Sequence, residues 1–293
     1  MNVDARRAPV LMMVHAHPDD ESSLTGGTLA RYSAAGIRTI LVTCTDGGQG
    51  DDVGSDGSTS HRRHRVAARR SRELRNATGI LGVGSLIELG YPDSGDGTQL
   101  SQSGTPDAFS RRPIDPLVQR LVHVIGIHRP DVIVTYPPNG LSGHPDHIRT
   151  HDIVTAAHAK ITAGTKTSIH IDPSRQGVRL FHVVVSGDRV RDLHRLARHA
   201  LPGQDIWTPP TEMAVDNDVI TAVVDVAQFW PQKLQALAAH ASQRDAAGLL
   251  TLLARADTSA SQVEEYIQVH PEPPSSVQRD LFAAPTEHQG RRG

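Results

Sequence analysis

The chain has 293 residues, 38% of them hydrophobic, a formal net charge of -2 and a single cysteine, Cys44. This length allows one large α/β domain or two small ones, and the near-neutral charge gives no field that would attract nucleic acid or a membrane surface. The lone cysteine excludes an intrachain disulfide, and the lack of both a ~20-residue apolar span and a signal-peptide pattern leads us to expect a soluble, cytoplasmic protein.

Apolar strands alternate with helices along the chain. In chain order we predict strand 10–14, helix 22–35, strand 38–45, helix 60–78, strand 85–89, helix 116–128, strand 131–135, helix 144–160, strand 180–186 and two helices within 225–255. Gly36 and Gly79 are expected to end the first two helices. The alternation predicts an α/β fold with a doubly wound, mainly parallel sheet and helices on both faces. In such sheets, ligands bind at the carboxyl ends of the strands.

Polar loops rich in glycine, aspartate and proline interrupt the predicted sheet at 47–59, 93–113 and 137–143. Loops of this length at the edge of an α/β sheet commonly shape a pocket or close over it, and whether 93–113 closes is left open. We expect one domain over 1–270, in which the part from about residue 165 completes the pocket. The Pro-rich tail at 271–293 is expected to be partly disordered.

Two clusters of histidine and carboxylate residues lie just after predicted strands. The first, HPDDE at 17–21, follows strand 10–14, and the second, HPDH at 144–147, follows strand 131–135 and a short loop. Any one of these residues alone would fit a helix N-cap or a surface position. Together, at equivalent strand-to-helix junctions, they predict a divalent metal held by nitrogen and oxygen ligands.

A catalytic zinc typically keeps three protein ligands and one open position. His17, Asp20 and His147 would supply such a set. Asp19, next to Asp20, could then face a water molecule and accept its proton as general base.

The second cluster offers groups for the rest of the reaction. His144 lies one helical turn before His147, so that ligation by His147 would leave His144 free as proton donor or oxyanion stabiliser. Asp146 could hold the tautomer of His144, as carboxylates often do for imidazoles near metals. A base, an acid and a metal in one place are the requirements for hydrolysis of an amide or an ester.

At these residues the chain resembles the LmbE/PIG-L family of zinc-dependent de-N-acetylases, whose hallmarks are an AHPDDE segment, here 16–21, and a later HPDH, here 144–147. Shorter segments resemble the branch that acts on mycothiol and its precursor, namely RSREL at 70–74, LGYPDSG at 89–95 and HASQ at 240–243. The resemblance covers roughly residues 9–243.

The resemblance implies a Rossmann-like fold, a small amino-sugar substrate and one Zn²⁺ per chain, with Fe²⁺ able to use the same ligands. It assigns zinc binding to His17, Asp20 and His147 and the role of base to Asp19. It also implies that Arg70 and Asp93 bind hydroxyls of a glucosamine ring.

The chain departs from that branch in two loops. Ser142 stands where the branch usually has a tyrosine that stabilises the oxyanion, and DGGQG at 46–50 lacks the usual adjacent acidic pair. Because these loops would meet the substrate, the expected removal of an N-acetyl group from a glucosaminide competes with cleavage of a mycothiol S-conjugate amide. A third alternative is a metal- or sugar-binding protein without catalysis. Asp19 favours an enzyme, because binding alone does not need a spare carboxylate beside the ligands. The oligomeric state is left open.

Overall fold

A mainly parallel sheet organises the chain in this computed structural model, which describes residues 7–52, 61–95, 107–163, 177–200, 203, 207–255 and 262–283. Its strands are β1 Val10–His15, β2 Arg38–Thr45, β3 Ser85–Tyr91, β4 Val132–Thr135, β5 Arg179–Ser186, β6 Ala214–Val215, β7 Ala222–Asp225 and β8 Val263–His270. The strand order is β3-β2-β1-β4-β5-β8-β7, and β6 pairs with β5. Neighbours from β3 to β5 are parallel, whereas β8 runs antiparallel to β5 and β7.

Helices cover both faces of the sheet. They are α1 Asp20–Ala34, α2 Arg62–Leu81, α3 Ile114–His128, α4 Gly140–Gly143, α5 Pro145–Thr162, α6 Gly187–Ala200, α7 Trp230–Ala239 and α8 Arg244–Leu253. One core cluster joins α1, α2 and α7 to the sheet, and a second joins α3 and α5 to the opposite face. The predicted α/β fold with helices on both faces is therefore confirmed. Among the described helices, none is both long and apolar enough to cross a bilayer.

The central strand β1 explains where a site can form. All six of its residues are buried, and they alternate between the two core clusters, with Leu11 and Met13 on one face and Met12 on the other. A strand covered by helices on both sides needs such a continuous apolar run. Because β1 pairs in parallel with β4, Met13 opposite Val134, the loops after both strands leave the same edge of the sheet. The two histidine clusters therefore meet.

Several predicted element limits need correction. The helix predicted for 60–78 runs from Arg62 to Leu81, so Gly79 does not stop it. Gly82 ends it instead, with φ of 70°, a left-handed conformation that glycine adopts without steric cost. Strands β7 and β8 and helix α6 are additional elements, and the two antiparallel pairings make the sheet mixed at one end.

The predicted C-terminal tail begins later than expected. Gln278 exchanges backbone hydrogen bonds with Thr221 and Val223 beside β7, and the side chain of Leu281 is fully buried. Residues 271–283 are therefore part of the folded unit, because they add main-chain pairing and apolar contact to its edge. The rest of the predicted tail, 284–293, lies outside the described residues, as do 53–59 and 96–106 of the predicted loops and residue 60 of the predicted helix.

Candidate metal centre

Three predicted ligands converge at the edge where β1 and β4 end. His17 and Asp20 come from the turn between β1 and α1, and His147 comes from the first turn of α5. The Nδ1 atom of His17 lies 3.2 Å from Nε2 of His147. The carboxylate of Asp20 lies 3.5 Å from each of these nitrogens, through Oδ2 to His17 and Oδ1 to His147. The structure thus brings together the three residues that the sequence singles out for a metal.

The tautomer of His147 is set by the loop before it. Its Nδ1 lies 3.0 Å from the carbonyl oxygen of Gly140, so Nδ1 carries the proton and donates it there. This leaves the Nε2 lone pair directed at His17 and Asp20. Gly140 has φ of 64°, and a Cβ at this position would lie 2.8 Å from Cβ of His147. A glycine is therefore needed both for the turn and for the close approach of the histidine.

His17 has the complementary arrangement. Its Nε2 lies 3.3 Å from Oδ2 of Asp146, which accepts a hydrogen bond from that nitrogen, so Nδ1 is the nitrogen that faces His147. Burial opposes a charged imidazole, but the carboxylates of Asp146 and Asp20 outweigh it and raise the pKa of His17 well above its usual value. Two imidazole nitrogens and a carboxylate that face one point form a donor set that suits a divalent metal.

Tyr136 orients Asp20 and is a residue that the sequence prediction missed. Its hydroxyl donates to Oδ2 of Asp20 at 2.7 Å and accepts the backbone N–H of Ala16 at 2.8 Å. The N–H of His17 also donates to Oδ2, at 2.8 Å, so Oδ1 is the oxygen left for a metal. The phenol ring stacks on His147 with 4.2 Å between ring centroids. A single tyrosine directly after an apolar strand is typical of an ordinary core residue, so the sequence carries no signal for this role.

Asp146 serves a different histidine from the one predicted. The hypothesis that it holds the tautomer of His144 is corrected, because its carboxylate contacts Nε2 of His17 instead. Ser94 fixes that carboxylate with two bonds, from its N–H at 2.9 Å and from its hydroxyl at 2.5 Å. Ser94 lies within the LGYPDSG segment at 89–95, whose position was the available signal for a contact with the site.

The two ring nitrogens of His144 differ in their hydrogen bonding. Its Nδ1 accepts the backbone N–H of Asp146 at 3.1 Å, so the neutral ring carries its proton on Nε2. Burial and the nearby rings of His17 and His147 lower the pKa of His144 to about 3. Ligand atoms of these three histidines lie within 4.8 Å of one another, but with Nδ1 occupied and Nε2 protonated His144 has no lone pair left for a metal.

Asp19 is held beside the centre in a strained conformation. Its φ of 120° and ψ of -24° lie outside the regions that non-glycine residues readily adopt, which costs about 1–3 kcal/mol. Its Oδ2 accepts a hydrogen bond from the guanidinium of Arg70 at 3.0 Å. Burial raises the pKa of Asp19 to about 6, with Arg70 opposing the rise and Asp20 adding to it. A carboxylate with a pKa near neutrality suits a general base.

The predicted substrate-binding residues occupy different environments. Arg70 is only 4% exposed, and it donates to the carbonyl oxygens of Pro18 and Gly47 as well as to Asp19. Asp93 is 3% exposed and accepts backbone N–H groups, and its Oδ1 lies 3.7 Å from Nε2 of His17. Ser142 is exposed in α4. Arg70 thus contacts Asp19, and Asp93 lies close to His17. The contact of Arg70, Asp93 and Ser142 with a sugar stays a prediction.

Known proteins are similar to this chain in sequence. The family model described as PIG-L, GlcNAc-PI de-N-acetylase, matches residues 12–158, which contain both histidine clusters. A relative from Actinosynnema mirum, the 1D-myo-inositol 2-acetamido-2-deoxy-alpha-D-glucopyranoside deacetylase, is 36% identical over 94% of this chain and 96% of its own. A similar deacetylase from Thermobifida fusca is 33% identical over 93% of this chain and 98% of its own.

A solved structure shows the same fold at lower identity. The N,N'-diacetylchitobiose deacetylase from Pyrococcus horikoshii superposes with a TM-score of 0.55 at 21% identity, covering 81% of this chain and 72% of that one. At this identity the likeness establishes the fold only, and the family rests on the sequence matches. The resemblance drawn from the two motifs is confirmed. The chain therefore belongs to the PIG-L family of de-N-acetylases, hydrolases of carbon–nitrogen amide bonds.

Proposed function

We propose that this protein is a zinc-dependent amidohydrolase that removes the N-acetyl group from a glucosaminide, such as a GlcNAc-inositol pseudodisaccharide of the mycothiol type. The observation that carries the proposal is the convergence of Nδ1 of His17, Nε2 of His147 and the carboxylate of Asp20, with Asp19 beside them. The substrate class follows relatives that are named deacetylases of such a pseudodisaccharide and align over nearly the whole chain.

The proposed ligands are His17, Asp20 and His147, with one metal ion per chain. When bound, a zinc ion supplies Lewis acidity, which lowers the pKa of water from ~15.7 to about 7 and polarises the amide carbonyl. Fe²⁺ accepts the same nitrogen and oxygen donors, so metal analysis of the purified protein decides between the two. Hydrogen bonds hold the side chains of Asp20, His17 and His147 in their orientations. This supports a site that is formed before the metal binds.

Asp19 and His144 have separate roles in the proposed reaction. The carboxylate of Asp19 accepts the proton of the attacking water, for which its raised pKa and its bond to Arg70 suit it. The Nε2–H of His144 donates a hydrogen bond to the developing oxyanion, since Nδ1 is occupied by a backbone N–H. The proton that Asp19 takes from the water then passes to the departing amine nitrogen. Asp146 keeps His17 in its ligating tautomer.

The test measures release of free amine by the purified protein from the GlcNAc-inositol pseudodisaccharide and, in parallel, from a bulky mycothiol S-conjugate. We expect acetate and amine from the first substrate, loss of activity in a chelator and recovery when zinc is restored. Faster cleavage of the S-conjugate would show that the protein is a conjugate amidase and not a deacetylase. Binding of the sugar without hydrolysis, with metal present, would contradict an enzymatic role.

A further inference from the structure

A buried pair connects the C-terminal half of the chain to the active-site turn. Nε2 of His240, the residue that follows α7, lies 2.7 Å from Oε1 of Glu21, and both side chains are fully buried. Burial opposes the charge on each group, but their mutual attraction outweighs it, so the pKa of His240 is raised and that of Glu21 lowered. The two groups therefore form an ion pair without contact with solvent.

Glu21 also binds the backbone of Asp19. Its Oε2 accepts the N–H of Asp19 at 3.0 Å, while Oε1 accepts the hydroxyl of Ser22 as well as His240. The bonded N–H belongs to the residue with φ of 120°, a conformation that persists only where surrounding contacts enforce it. Arg70 fixes the carboxylate of the same residue. The side chain and the main chain of Asp19 are thus held by separate partners.

The environment of His240 indicates what its imidazole contributes. Among the described residues, its buried Nδ1 has no hydrogen-bond partner, an arrangement that costs about 1–3 kcal/mol. The useful contact of the ring is therefore the one through Nε2. The residues that follow hold this position, because Ser242 donates its N–H and its hydroxyl to Glu73 of α2.

We propose that His240 is a positioning residue, which acts through Glu21 to hold Asp19 in the strained conformation required of the base. The inference rests on the proposed function, because it takes Asp19 as the base. His240 contacts none of the proposed metal ligands through a described hydrogen bond or ion pair, so its loss should leave metal binding intact.

A second buried pair, between α7 and β8, provides a matched control. Lys233 of α7 lies 2.5 Å from Glu264, and both side chains are 2% exposed. Glu264 also accepts two backbone N–H groups of α1, from Gly27 and Thr28. Like the pair of Glu21 and His240, this pair is buried and its glutamate accepts backbone N–H groups, but those groups lie several residues beyond Asp19.

The experiment compares His240→Leu, His240→Gln and the double variant Lys233→Met/Glu264→Gln with wild type, all loaded with zinc. For His240→Leu we expect kcat to fall by about 10–100-fold with KM within about twofold and zinc content unchanged, because a base displaced by ~1 Å loses rate rather than affinity. In His240→Gln the side-chain amide can present an N–H to Glu21, so this variant should recover most of the rate. The control pair should lose thermal stability but keep its kcat.

A measurement without metal or substrate completes the test. Exchange of the Asp19 amide hydrogen, followed by NMR in the metal-free protein, should accelerate in His240→Leu and stay slow in the control variant. If His240→Leu does not fold, Glu21→Gln/His240→Leu takes its place, since it removes the buried charge together with its partner.

The outcomes separate this inference from the proposed function. Wild type without amine release would contradict the proposed function, whatever the exchange data show. An active wild type with an unchanged kcat in His240→Leu, or equal losses of kcat in His240→Leu and the control pair, would overturn the role of His240. An unchanged exchange rate at Asp19 would do the same.

Discussion

Replacing Tyr136 by phenylalanine removes one hydroxyl that connects the metal centre to β1. The hydroxyl donates to Asp20 at 2.7 Å and accepts the N–H of Ala16 at 2.8 Å, and the tyrosine is fully buried. The variant loses a hydrogen bond to a charged group, and it leaves the buried N–H of Ala16 without an acceptor. Together these losses should lower the free energy of unfolding by about 2–4 kcal/mol. Because Asp20 would keep only the N–H of His17 of the two donors that orient its Oδ2, zinc affinity should fall by about 10–100-fold.

Tyr32 offers a closely matched control. Its hydroxyl donates to Oδ1 of Asp280 and accepts the N–H of Leu281, both at 2.7 Å, and the residue is 2% exposed. Tyr32→Phe therefore removes the same kind of hydroxyl, bridging a carboxylate and a backbone N–H, at the far end of α1 from the metal centre. We expect a similar loss of stability and no change in zinc affinity.

The assay titrates zinc against a fluorescent chelator for wild type and both variants, with urea unfolding of the metal-free proteins alongside. A fall in affinity confined to Tyr136→Phe supports the role of the hydroxyl in orienting Asp20. Equal zinc affinity in the two variants, with similar losses of stability, would refute that reasoning and leave Tyr136 as a packing residue.

The remaining predictions concern the scaffold. Gly79→Ala should raise the free energy of unfolding by about 0.5–1 kcal/mol, since nothing lies within 4 Å of the added Cβ. Gly27→Ala should lower it by at least about 1–3 kcal/mol, because that Cβ would lie 2.5 Å from Cβ of Val226; urea unfolding measures both, and equal effects would contradict the packing. Burial lowers the pKa of His182 to about 4, so the fold keeps this ring neutral while the unfolded chain takes up a proton. Stability should fall as pH decreases from about 6.5 toward 4, and His182→Leu should reduce that fall; an unchanged pH profile would argue against it. Burial raises the pKa of the Cys44 thiol to about 12, so a thiol reagent at pH 8 should label it only after unfolding, and rapid labelling of the native protein would show the contrary.

The sequence predicts the centre of this fold well because its signals are local. Strand β1 is apolar from Val10 to Val14, and the first histidine cluster follows it closely, while the second follows the apolar strand β4 after a short loop. Parallel pairing of β1 with β4 then brings His17 to His147 without further information. The three ligand candidates were therefore accessible from spacing alone.

The parts that were missed depend on partners far away in the chain. Strand β8 carries two adjacent glutamates, a pattern typical of a surface segment, yet Glu264 is buried because Lys233 and α1 satisfy it. Asp146 turned out to serve His17 rather than His144 because Ser94, 52 residues earlier, fixes its carboxylate. Contacts between residues so far apart in the chain produce no periodic pattern in the sequence.

The most direct test of the central claim is the rate of amine release by zinc-loaded Asp19→Asn. Asparagine tolerates a positive φ better than alanine does, so this variant removes the charge with little change in backbone strain. We predict zinc binding equal to that of wild type and loss of hydrolysis by several orders of magnitude. Turnover close to that of wild type at equal zinc content would contradict Asp19 as the base.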